Sequence, residues 1–281
     1  MWGYLGGAQS ATGEDFRRAK QLIGTSAGSI VAARLAGGED PRRREERVRW
    51  DGEAEPEQRA GALRSAIERA SRVSLGAFSP LAAPALSAAT PGGSLARAVV
   101  LARVPRGRIV LSDLRSRIEA LGTQFDGRLR LVAVDRGSGR RVVFGDAGAP
   151  EASVADAVAA SCAVPGLFAP VEIGEREYVD GGVWSPTNLD LARAGERDRV
   201  LCLVPTAAMG TAPALALRGL AAGWRLATSV EAAAAGRRGA KIEIVAPDGG
   251  AAAAIGSDLM NPARRARVIA EGFRQGAARA E

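Results

Sequence analysis

The sequence predicts an α/β fold of three layers, α/β/α, in which helices flank a mainly parallel central sheet. Two observations predict it. Strand-like and helix-like segments alternate along most of the chain, and the strand-like ones are almost continuously apolar, as strands buried on both faces are. Length and composition agree. A chain of 281 residues, 47% hydrophobic and 25% charged, suits one globular domain over residues 1–281, with a cap or insertion expected at about 73–104.

The elements follow in order. Trp2 to Ala8 reads as the middle of a helix. Lys20 to Ile23 forms a strand, Gly24 to Gly28 a tight turn, and Ser29 to Leu35 a helix stopped by Gly37-Gly38. Glu57 to Arg72 puts Ala60, Leu63, Ile67 and Ala70 on one stripe and predicts a further helix. From Val73 to Val104, Pro80, Pro84, Pro91 and Gly92-Gly93 interrupt any long helix. Arg108 to Leu111 is a short strand or the entry to a helix through Leu121. Leu129 to Val134 and Arg141 to Phe144 alternate on either side of Asp135-Arg136-Gly137-Ser138-Gly139, a hairpin signal. Ser153 and Asp156 have capping-box spacing before an alanine-rich helix that ends near Pro165. Strands are expected at Phe168 to Ile173, Glu177 to Val179, Arg199 to Val204 and Lys241 to Val245, and helices at about Ala214 to Ala235 and Pro262 to Ala278.

Composition excludes several chemistries. There is no histidine, which removes Ser-His-Asp and Cys-His centres and every His-ligated metal site. Cys162 and Cys202 lie in apolar stretches and read as buried thiols, so neither a metal nor another cofactor is expected. The net charge of +7 invites a nucleic-acid reading, but the arginines are scattered and the densest run, Arg42 to Arg47, mixes signs. With 4% aromatic residues there is little for bases to stack on, and no nucleic-acid partner is expected. No segment has the signature of a secretory signal or the run of about eighteen apolar residues that a spanning helix needs. A cytoplasmic protein is the expectation.

Two motifs bear chemistry. Gly24-Thr25-Ser26-Ala27-Gly28 has nucleophile-elbow spacing at a strand-to-helix junction, where a strained turn lifts a serine hydroxyl above the sheet and glycines admit neighbouring backbone. In a chain with 35 glycines such a pattern also arises by chance, and Ser26 equally suits the N-cap of the following helix. Asp180-Gly181-Gly182 is a candidate carboxylate turn, but Asp248-Gly249-Gly250 repeats it, and either is a plain turn by composition alone.

The flanks of these motifs resemble a family. Ala160-Ser161-Cys162-Ala163-Val164-Pro165-Gly166-Leu167-Phe168-Ala169-Pro170-Val171, then Tyr178-Val179-Asp180-Gly181-Gly182, then Pro186 to Ala192, are similar to the second signature block of patatin-like phospholipases, and Gly24 to Ser29 to their first. The resemblance runs from about Leu22 to Ala192 and implies a patatin-like fold. It assigns a hydrolytic pair without histidine to Ser26 and Asp180, with Gly24 and Gly28 shaping the elbow, Gly181 and Gly182 completing the carboxylate turn, and Asp248 left as a decoy. It further implies ester hydrolysis of an acyl lipid or phospholipid through an acyl-serine, with peripheral association at a membrane surface. Physically, a serine hydroxyl needs a base within hydrogen-bond reach, and an aspartate of ordinary pKa, about 3.9, is a weak base until partial desolvation strengthens it.

The chain departs from the family at one place. The family's first strand and its G-G-G-x-[RK]-G loop, which supplies oxyanion donors, are not found; Gly6-Gly7 is a remnant at best. Only the backbone N–H of Ala27 is readily assigned to the oxyanion, and one such donor is typically worth about 10² to 10³ in turnover. A start codon further upstream is the preferred expectation, ahead of a catalytically impaired lipid-binding relative or an unrecognised donor.

Overall fold

The computed structural model describes residues 1–43, 91–207, 215–256 and 262–280. The helix predicted over 57–72 lies outside the described residues, as does most of the 73–104 segment. From Pro91 onward that segment is a helix. The helices are α1 (Trp2–Thr12), α2 (Ala27–Ala36), α3 (Pro91–Arg103), α4 (Ser112–Glu119), α5 (Val154–Cys162), α6 (Leu215–Gly236), α7 (Gly249–Ile255) and α8 (Arg265–Ala277). The strands are β1 (Leu22–Thr25), β2 (Leu129–Asp135), β3 (Arg141–Phe144), β4 (Val171–Ile173), β5 (Arg176–Asp180), β6 (Arg199–Leu203) and β7 (Lys241–Val245).

The α/β architecture follows from the strand faces. β2 is buried along its whole length. Its Leu129, Leu131 and Ala133 face a core shared with Ala32 and Ala33 of α2, Val158 of α5 and Leu5 of α1. On the opposite face Val134 joins Val179 of β5 and Leu101 of α3. Cys202 of β6 packs on that pattern too, in a cluster with Leu189, Ala232 of α6 and Ile23 of β1. Parallel pairing is found at β1–β2 and β6–β7. β2–β3 and β4–β5 pair antiparallel, because the short links 136–140 and 174–175 are long enough for hairpins and too short for crossovers, and β5 also returns antiparallel to β2.

The hairpin at 135–140 is tied by Asp135, whose carboxylate accepts from the Gly137 and Ser138 N–H groups at 2.9 Å each and pairs with Arg176 at 2.7 Å. Ser153 caps α5 as its spacing predicts, accepting from the Asp156 N–H at 3.0 Å. Arg108 to Leu111 is the entry to a helix: Ile109 makes a single parallel bridge to Phe168, and Leu111 stands at the N-cap position of α4.

Pairing registers fix the geometry that follows. β3 occupies one edge of β2 from Leu131 to Val134. On the other edge β1 runs up as far as Thr25, opposite Val132, and β5 comes down to Asp180, opposite Ala133. Two strands from opposite halves of the chain therefore share one edge of β2 and end on adjacent rungs.

Candidate active site

Ser26 is the first residue past β1, and it sits at φ 53°, ψ −127°, a backbone state that L-residues rarely adopt. Holding a non-glycine residue there costs on the order of 1 to 3 kcal/mol and persists only where the surroundings enforce it. Ser26 occupies the N-cap position of α2, but its side chain makes no capping hydrogen bond. Its hydroxyl is left for another partner. The two elbow glycines differ. A Cβ on Gly24 would press on the backbone of Gly28 and Ser29, at 2.5 to 2.8 Å, whereas one on Gly28 would meet open space. Close backbone passage therefore accounts for Gly24 and not for Gly28, where sequence reasoning gave both the same role.

Asp180 ends β5 beside it. Its Oδ1 accepts from the Gly182 N–H at 2.7 Å, which makes the second glycine a backbone donor. Gly181 allows close approach, since a Cβ there would overlap the Val132 carbonyl and crowd Thr25 Cγ2 at 3.2 Å. Asp180 is 4% exposed, and among the described residues its Oδ2 has no formed hydrogen bond. Burial raises its pKa from the ordinary 3.8 to about 6; the adjacent Ser26 hydroxyl and the Gly182 N–H pull in the opposite direction and lose. The structure thus brings the sequence-predicted serine and aspartate together, 154 positions apart in the chain.

Asp248 behaves differently. It caps α7 by accepting from the Ala251 N–H at 2.9 Å and pairs with Arg274 at the surface, and these contacts lower its pKa. The repeated motif is a helix start, not a second site. Ala27 opens α2 in an exposed position, and a first-turn N–H lacks an intrahelical acceptor.

Sequence reasoning missed the groups that hold the pair. The C-terminal end of α5 touches both members: Ser161 Oγ accepts from the Ser26 N–H at 2.9 Å, and the carbonyl of Ala163, the residue just past the helix, accepts from the Asp180 N–H at 2.9 Å. Between them, the buried Cys162 thiol has its pKa pushed up to about 12, by burial first and by the Asp180 charge second. Ser29, fully buried, donates its hydroxyl to the Ser26 carbonyl at 2.6 Å. On the other side, Asn188 donates to Thr25 Oγ1 at 3.0 Å and accepts from Arg141 at 3.1 Å, tying the segment after Asp180 to the end of β1. Glu231 of α6 holds the same segment, accepting from Thr187 Oγ1 and the Leu189 N–H at 2.8 and 2.9 Å. Only a capping or turn role is legible for such residues in sequence, because most of their partners lie far along the chain and meet them only in the tertiary fold.

Among the described residues the buried Asp180 carboxylate has no cation on it, and it lies beside a serine held in an elbow. The protein-family model described as Patatin-like phospholipase matches residues 2–193. This chain belongs to the patatin-like phospholipase family. Its members are in general lipid acyl hydrolases, and the match covers the elbow, the carboxylate turn and the α5 segment between them. No curated protein matches the chain.

Proposed function

We propose that this patatin-like protein is a serine acyl-hydrolase, of phospholipase A, lysophospholipase or carboxylesterase type, that cleaves lipid esters through a Ser26–Asp180 dyad. The carrying observation is the desolvated Asp180 carboxylate beside the strained Ser26, with a pKa of about 6. A base with that pKa is mostly ionised at neutral pH yet far stronger than a solvated aspartate. Asp180 takes the Ser26 proton as Oγ attacks the acyl carbonyl, and the oxyanion accepts from the Ala27 N–H. The tetrahedral intermediate then expels the alkoxide, which receives the proton from Asp180. Water, deprotonated in turn by Asp180, attacks acyl-Ser26; the second tetrahedral intermediate expels Ser26 Oγ, which takes the proton back from Asp180 as the acid leaves.

The test uses purified chain, a short-chain chromogenic ester and a fluorophosphonate probe. Ser26→Ala and Asp180→Asn are each expected to lower turnover by about 10³-fold or more, and Ser26→Ala to abolish labelling. Full turnover in either variant rejects the dyad. The second reading, a lipid-binding protein without turnover, rests on Ala27 being the one assigned oxyanion donor; it predicts vesicle or fatty-acid binding with no labelling of Ser26.

Peripheral membrane association belongs to the same proposal. Leu95 and Val99 on α3 and Leu226 and Val230 on α6 are exposed, each pair one helical turn apart. α3 packs on Val179 and Trp184 and α6 holds Thr187 and Leu189, so both helices flank the segment that follows Asp180.

A further inference from the structure

Parallel strands exchange hydrogen bonds on every second residue, and β1 begins this way with the Leu22 N–H on the Arg128 carbonyl at 2.9 Å. Continuing the register, Gly24 stands opposite Leu131 with its N–H toward the Arg130 carbonyl, and the next rung is the Ser26 N–H on the Val132 carbonyl. That rung is replaced. Ser161 stands in it, accepting from the Ser26 N–H at 2.9 Å and donating its own proton to the Val132 carbonyl at 2.7 Å. A helical serine commonly bonds back to the carbonyl four residues earlier; here, fully buried, it is spent on two other elements. Inserting an oxygen between donor and acceptor moves the Ser26 backbone away from β2, which is the displacement an elbow needs.

We propose that Ser161 is the positioning residue of the site: its hydroxyl substitutes for one rung of the β1–β2 ladder and so holds Ser26 out of the sheet and against Asp180. This inference rests on the dyad reading above. Without the hydroxyl, the Ser26 N–H drops back onto the Val132 carbonyl, the elbow relaxes, and Oγ withdraws from the carboxylate. The same end of α5 fixes the other partner, through the Ala163 carbonyl on the Asp180 N–H, so the separation of the two groups is set by one rigid element.

The experiment compares the parent chain with Ser161→Ala and with Val158→Ala, which removes fully buried methyl groups from the same helix. Ser161→Ala is expected to slow both kcat and the labelling of Ser26 by about 10²-fold, with KM within about twofold of the parent. Its acid limb should move to higher pH, because the Ser26 hydroxyl that lowers the Asp180 pKa has moved away. Val158→Ala is expected to lose a few degrees of unfolding midpoint and keep the labelling rate of the folded parent. Parent-rate labelling in Ser161→Ala, an unmoved acid limb, or an equal slowing in Val158→Ala overturns the proposal. Should the parent itself resist labelling, the dyad reading is what fails. NMR then judges the spliced rung alone: a coupling through a direct hydrogen bond between the Ser26 amide and the Val132 carbonyl that appears in Ser161→Ala supports it, and a Ser26 amide with no such bond in the variant overturns it.

Discussion

The residue that decides most at this site is Asp180, because its two tasks conflict. Its folded pKa, about 6, lies above the ordinary 3.8, so between these values the folded chain holds a proton that the unfolded chain has released. Stability therefore falls as pH rises through about 4 to 6, and stays lower above it, by roughly 1 to 3 kcal/mol. On the proposed dyad, activity runs the opposite way, since only the ionised carboxylate serves as base: kcat should rise with pH along an acid limb near 6. Asp180→Asn, which keeps an acceptor for the Gly182 N–H, is accordingly expected to be inactive and yet more stable than the parent at pH 8. Thermal unfolding of the two side by side checks this, and a destabilised variant would contradict it. At this scale the sequence singles out Ser26 and Asp180, which the fold places side by side, and Gly24, which neighbouring backbone approaches closely. Gly28 and Ser161 were not legible: the first meets no neighbour that a Cβ would disturb, and the second is committed to an amide and a carbonyl, groups every residue carries.

At the scale of elements, periodicity and turn chemistry located what local forces govern. β7 and the β2–β3 hairpin stand where alternation put them, and α5 starts at its Ser153 cap. α7 escaped because its cap carries two glycines, which read as a turn when the aspartate's capping bond is unseen. The packing of α1 on α8 was equally hidden. Gly3 and Gly7 bring α1 so near that a Cβ on either would overlap the Ile269 or Phe273 carbonyl, and Gly276 of α8 answers against Tyr4 and Ala8. Gly7→Val should cost about 2 kcal/mol or more through forced separation of the helices, even though valine is the better helix former. Urea unfolding measures it; a neutral or stabilising result would mean the helices can part at no cost.

For the whole molecule, fold class was readable from alternating elements, but the way the chain returns to β2 was not, because register between distant segments is a tertiary property. Surface character was half-readable: the charge of +7 is in the sequence, the exposure of Leu226 and Val230 is not. A basic chain with apolar side chains beside the site should prefer anionic bilayers. Leu226→Glu combined with Val230→Glu is expected to reduce partitioning onto phosphatidylglycerol vesicles by about tenfold or more, without slowing hydrolysis of a soluble ester. Equal sedimentation with vesicles before and after the change would refute this.

The shared edge of β2 has a consequence for when chemistry can begin. The hydroxyl arrives on an early segment of the polypeptide and the carboxylate on a late one, and neither has a place until the strand between them is seated. An incomplete or wrongly threaded copy therefore carries both residues and no reactive centre. On the proposed dyad, hydrolytic power emerges only with the finished fold, and immature copies leave the surrounding esters intact.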